Sequence, residues 1–104
     1  MPRVILPQKL AHGNLCNLAE YGELVYLFSG SNDLAPSLGD NNLSEEIAKR
    51  LSKIPFDSRV DFFAATGTMT LSHVVLATLV KHYGEITCLL YDKDSRNYRR
   101  KVVG

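Results

Sequence analysis

The sequence predicts a small single-domain α/β protein, residues 1–104. It should have a three- to five-stranded, mostly parallel sheet, two main helices and a C-terminal antiparallel hairpin. Three observations predict this. Short β-branched and aromatic runs (ELVYLF at 23–28, RVDFFAA at 59–65 and ITCLLY at 86–91) alternate with two helix-length stretches at 43–54 and 70–83. Strands that alternate with helices are joined by crossovers into a parallel sheet. The last strand, 98–103, follows 86–91 after only the turn DKDSRN, so it returns antiparallel at one edge.

Val4-Ile5-Leu6 is a short apolar run stopped by Pro7, which predicts a weak first strand lying at an edge. In AHGNLCNLAEYG (11–22), Leu15, Leu18 and Ala19 have helical spacing, so this segment reads as a loop with one or two helical turns. The strand 23–28 is clearer, bounded by Gly22 and by Ser29-Gly30. SGSNDLAPSLGDN (29–41) is the longest loop, and a loop of that length in so small a domain is mobile or functional.

Asn42 followed by Glu45 predicts a capping box at the start of the helix 43–54. Leu43, Ile47, Leu51 and Ile54 form its apolar stripe, while Glu45, Glu46, Lys49, Arg50 and Lys53 make a solvated face that Pro55 terminates. A strand at 60–65 leads through a Thr/Gly loop to the helix 70–83. Thr68 or Thr70 can cap it, and Gly84 suits a left-handed position past its end. That helix is apolar on most faces and should be the more buried. The expected core includes Leu24, Tyr26, Ile47, Leu51, Phe62, Val75, Leu79, Leu89 and Val102.

A chain of 104 residues, 45% apolar and 22% charged, is an ordinary globular domain and not a disordered one. Its net charge of +1 supplies no global field toward nucleic acid or an anionic membrane. It also offers little resistance to self-association, so a homo-oligomer is expected. The apolar stretch from Leu71 to Val80 is interrupted by Ser72, His73 and Thr78 and is too short for a bilayer; a soluble cytoplasmic protein is expected. Cys16 and Cys88 have no ligand spacing; Cys88 reads as a buried thiol, and no disulfide is expected.

In open parallel sheets ligands bind beyond the carboxyl ends of the strands. Three loops should meet there, supplying Ser29, Ser31 and Asn32, then Thr66, Gly67, Thr68 and Thr70, then Asp92 and Arg96. Gly67 permits close backbone approach, the threonines carry hydroxyls, and the helix that follows presents free N–H groups. Together these suit a nucleotide-like anion such as a phosphate. The competing reading is structural: a threonine caps the helix and Gly67 turns the chain. TGTMT is neither a Walker loop nor a dinucleotide fingerprint, and no cofactor is expected. His73, in the first turn of the helix, could donate to a ligand or serve as an acid or base, or simply pack.

The other histidines and the aspartates form no set. His82 is explained by the helix C-terminus, and His12 by a loop. Asp33, Asp40, Asp57, Asp61, Asp92 and Asp94 lack metal-ligand spacing, and no Ser/His/Asp or Cys/His set can be assembled, so catalysis is not expected. Arg96, Arg99, Arg100 and Lys101 cluster beside Tyr98. On an edge hairpin they could contact nucleic acid, though charges there also deter edge-to-edge aggregation, and acidic residues elsewhere cancel the field.

From Ala65 to Val103 the chain runs through a glycine loop, an apolar helix, an apolar strand ending Tyr91-Asp92 and a short basic return strand. With Gly67, Tyr91 and Asp92 matching in kind, this resembles the single-domain CRISPR-associated proteins related to CARF ligand sensors. The resemblance implies binding of cyclic oligonucleotides at the strand ends, commonly by dimers. The histidines lack the spacings of the nuclease members, so it does not extend to hydrolysis. The compactness and lack of catalytic sets also resemble a small phage accessory protein. It would act as a structural or protein-interaction module through the 29–41 loop or the edge hairpin.

Overall fold

The computed structural model describes residues 2–8, 17–28, 42–65 and 69–104. Five strands, β1 (Arg3–Gln8), β2 (Glu23–Phe28), β3 (Phe62–Ala64), β4 (Ile86–Asp92) and β5 (Asn97–Val103), form one sheet in the order β2-β1-β3-β4-β5. The first four are mutually parallel and β5 is antiparallel to β4. The two helices are α1 (Leu43–Ser52) and α2 (Met69–Tyr83). The α/β expectation, with its C-terminal hairpin, holds.

Both helices cover one face of the sheet. Ile47 and Leu51 of α1 and Leu71, Val75 and Leu79 of α2 pack on Ile5, Phe63, Ile86 and Cys88, all removed from water. Burial drives the assembly, at about 1.5–3 kcal/mol for each large side chain. On the opposite face Val4, Leu6, Ala64, Leu89 and Tyr98 gather around Leu18, which a 3-10 turn (Leu18–Glu20) supplies. Tyr21 meets Phe62 edge-on there, ring centroids 5.4 Å apart. Leu24, Tyr26 and Phe62 are half-buried on this second face, not central.

Several local expectations are corrected. β1 lies inside the sheet between β2 and β1's other neighbour β3, not at an edge. Its recorded pairing with β3 ends at Ile5↔Phe63, before Pro7, so the missing N–H removes no donor from that ladder. β3 is shorter than 60–65, because Val60 and Asp61 both donate backbone N–H bonds to Asp57 O and close a turn (3.0 and 2.8 Å). Buried Asp61 fixes the turn to β1: Oδ1 accepts from Arg3 N and Oδ2 from Asp57 N, both at 2.8 Å.

Asn42 precedes α1 in a helical conformation and makes no side-chain cap, so the predicted capping box is not formed. The helix ends at Ser52, where Lys53 N and Ile54 N tighten onto Arg50 O and Leu51 O; Ile54 still packs against the core. Thr70 is the second residue of α2 and not its cap; Thr68 lies outside the described residues. Gly84 ends the helix as expected, with φ +82 and its N–H bonded to Val80 O at 2.9 Å. Val102, expected inside, is 58% exposed on the edge strand. Cys88 is buried as expected, and burial pushes its thiol pKa up.

Candidate functional site: the strand ends and the hairpin edge

Because β1 to β4 are parallel, the chain leaves Gln8, Phe28, Ala64 and Asp92 at the same edge of the sheet. Strand order reverses between β1 and β3, with β2 to one side and β4 to the other, and such a switch point is where α/β sheets open a cleft. The loop after β3, with its TGTMT stretch, starts there. The sheet order adds the loop after β1, which the sequence reading did not include.

The nominated residues separate into three sets. Ser29, Ser31, Asn32, Thr66, Gly67 and Thr68 lie outside the described residues. Thr70 and His73 stand on the exposed side of α2, in an open groove of about 510 Å³ that Ser44 and Glu45 of α1 border. Asp92 and Arg96 belong to the hairpin turn.

Asp92 is occupied by that turn. Its Oδ1 accepts from Asp94 N at 3.1 Å, and its Oδ2 accepts from Ser95 Oγ and Arg99 Nε, each at 3.0 Å. The Ser95 hydroxyl first, then the Asp94 N–H, with a smaller contribution from Arg99, hold the carboxyl below its ordinary pKa. Arg96 takes the left-handed backbone conformation of the turn at φ 57. Both residues have local structural work, which the spacing DKDS signals as an aspartate turn.

On β2, Arg50 of α1 donates from Nη1 to Leu27 O at 2.8 Å. Its guanidinium lies 4.3 Å from the Phe28 ring centroid, and Glu46 accepts from Nε at 2.9 Å. Arg50 thus packs on the end of β2, although the sequence placed it on a solvated face. On β5, Tyr98 N donates to Asn17 Oδ1 at 2.7 Å, while Tyr98 O accepts from Asn17 Nδ2 at 3.3 Å and from Tyr21 OH at 3.0 Å. Tyr98 therefore points its backbone groups outward. The period-2 alternation of a strand turns those of Arg100 and Val102 outward too. Among the described residues, nothing is bonded to these two rungs.

Charge collects on the same edge. Residues 92–103 carry five cations (Lys93, Arg96, Arg99, Arg100, Lys101) against Asp92 and Asp94, although the whole chain is only +1. The rest of the molecule is thus net acidic. Asn17 and Tyr21 were missed as determinants of this edge, since their partner is 81 and 77 residues away and leaves no local pattern.

Among the described residues no group of three or more His, Cys, Asp or Glu could hold a metal, and no helix is long and apolar enough to cross a membrane. The model of the family described as Phage Pam3 gp32-like protein matches residues 5–103. No curated protein and no solved structure matches the chain. The CARF likeness of the stretch from Ala65 to Val103 gains no support from these comparisons.

Proposed function

The chain belongs to the Phage Pam3 gp32-like protein family, and from that premise we propose that it is a non-catalytic phage accessory protein that binds a partner through its C-terminal hairpin. The observation that carries this reading is the outer edge of β5. Beyond Tyr98 it has two outward rungs, at Arg100 and Val102, to which nothing among the described residues is bonded, inside a concentrated positive charge. An edge strand with open backbone groups is a template for pairing.

The experiment is affinity capture of the tagged protein from phage-infected cells, with two variants in parallel. Joint replacement of Arg100, Lys101 and Val102 by alanine should abolish co-purification of the partner, while Gly67→Val should leave it intact. The reverse pattern would refute the hairpin reading.

A second reading is favoured by the sheet order. A nucleotide-like anion, a cyclic oligonucleotide included, would bind without turnover at the switch point, with the TGTMT stretch and the N-terminus of α2 as its receptors. Calorimetry against mononucleotides and cyclic oligonucleotides separates the two: this reading requires heat that Gly67→Val removes, and the hairpin reading requires none. Self-association into a homo-oligomer is compatible with either and is measured by light scattering.

A further inference from the structure

We propose that the two outward rungs of β5, to which nothing among the described residues is bonded, accept an extended acidic segment of another protein as an added strand. This rests on the hairpin reading above and specifies its partner. The Asn17 amide already shows how the edge is used. It offers Tyr98 one acceptor and one donor, at 2.7 and 3.3 Å, as a neighbouring strand residue would. A guest strand continues from that position along Arg100 and Val102.

The side chains beside these rungs define the guest. Along β5, successive residues alternate between the two faces, so Arg100 projects on the Tyr21 side and Arg99 and Lys101 on the helix side. The Arg100 guanidinium lies 6.0 Å from the Tyr21 ring centroid. Arg99 is matched by Asp92, and Lys101 is exposed opposite buried Cys88. Val102 adds an exposed apolar surface beside an open cleft of about 520 Å³ lined also by Arg59, Tyr83 and Thr87. A strand carrying carboxylates and apolar side chains meets complementary groups on both faces of the edge.

Two other occupants fit less well. If two copies of β5 paired antiparallel with both open rungs in use, Arg100 would face Val102 and Lys101 would face Lys101. Like charges directly opposite disfavour that dimer. A nucleic-acid backbone lying on either face would meet only part of the charge, because the cations alternate between faces and Arg99 is already paired.

The test is a backbone-amide NMR titration of the whole protein with an octapeptide alternating glutamate and valine, and with the same peptide carrying lysine for glutamate. The acidic peptide should shift the Arg100 and Val102 amides and slow their hydrogen exchange by about tenfold or more, while the lysine peptide leaves them unchanged. Arg100→Pro removes an outward N–H and should abolish the response at an unchanged melting midpoint. Should that variant unfold, Arg100→Glu with Lys101→Glu keeps the backbone donors and should weaken binding roughly tenfold. An unresponsive β5 at millimolar acidic peptide, or an equal response to the lysine peptide, would overturn the proposal. So would tight binding of oligothymidylate that survives Arg100→Pro. If these failures occur while partner capture still depends on the hairpin, only the acidic-strand inference falls; capture independent of the hairpin removes the underlying reading as well.

Discussion

The side-chain amide of Asn17 takes the place of one strand rung against Tyr98, accepting its N–H at 2.7 Å and donating to its carbonyl at 3.3 Å. Residues 81 positions apart in sequence thereby close the first outward rung of β5, and Tyr21 OH strengthens the closure at 3.0 Å. The edge is finished by side chains where β5 begins, and among the described residues nothing is bonded to it beyond.

Asn17→Ala should strip the Tyr98 rung of both Asn17 bonds, leaving Tyr21 OH on its carbonyl. It leaves the Tyr98 N–H without its acceptor, at a cost of roughly 1–3 kcal/mol. Urea denaturation should show a lowered midpoint with little change in slope. An unchanged midpoint would mean that the rung contributes nothing.

Asp61 should prove the most sensitive carboxylate of the chain to neutral replacement. Its two oxygens serve Arg3 N and Asp57 N from a site only 2% exposed. Asp61→Ala strands both donors, at roughly 1–3 kcal/mol for each. Asp61→Asn keeps one acceptor and should lose about half as much. Equal melting midpoints for the two variants would contradict this.

These two residues also mark where sequence reading stops. β2, β4, β5 and both helices were legible because their signals are local: β-branched runs, an i, i+4 stripe and a glycine after a helix. The position of β1 was not, since Pro7 suggests an edge only when neighbouring strand lengths are unknown; here β3 ends before reaching it. The length of β3 was overread because Val60 and Asp61 close a turn on Asp57, and Asp61 is tied to Arg3, 58 residues away, instead of extending the strand. Val102 looked like core because a Val-Val pair carries no sign of which face a neighbour covers. Of the candidate site, the hairpin turn was legible in DKDSRN but the use of Asp92 to close it was not, and the contacts of Arg50 with Leu27 and of Asn17 with Tyr98 exist only through tertiary packing.

Two glycines should respond oppositely in cause to alanine. A Cβ on Gly84 meets open space, so Gly84→Ala suffers only from its φ of +82, at about 1–2 kcal/mol. A Cβ on Gly22 would press on the carbonyl of Pro2, which accepts the Glu23 N–H at 2.9 Å. Gly22→Ala should therefore disturb the amide resonances where β1 meets β2, and Gly84→Ala should not. The same resonance changes in both variants would contradict this account.

Asp92 links the hairpin to pH. Its pKa is depressed in the folded chain, so its contribution is present above the ordinary aspartate value of about 3.9 and is lost as pH falls through the lower, folded value. Acidification should sharpen the pH dependence of the Ser95 and Arg99 resonances in that window and leave α1 unaffected. Asp92→Asn should remove the dependence. A hairpin that titrates identically in the variant would contradict the assignment.

The central claim is that β5 presents open rungs at Arg100 and Val102, and amide hydrogen exchange of the isolated protein tests it most directly. The account predicts an alternation: slow exchange at Tyr98, held by Asn17, and at Arg99 and Lys101, held by β4, with fast exchange at Arg100 and Val102. Protection of Arg100 and Val102 equal to that of Arg99 and Lys101 would show that the edge is already covered and would contradict the claim.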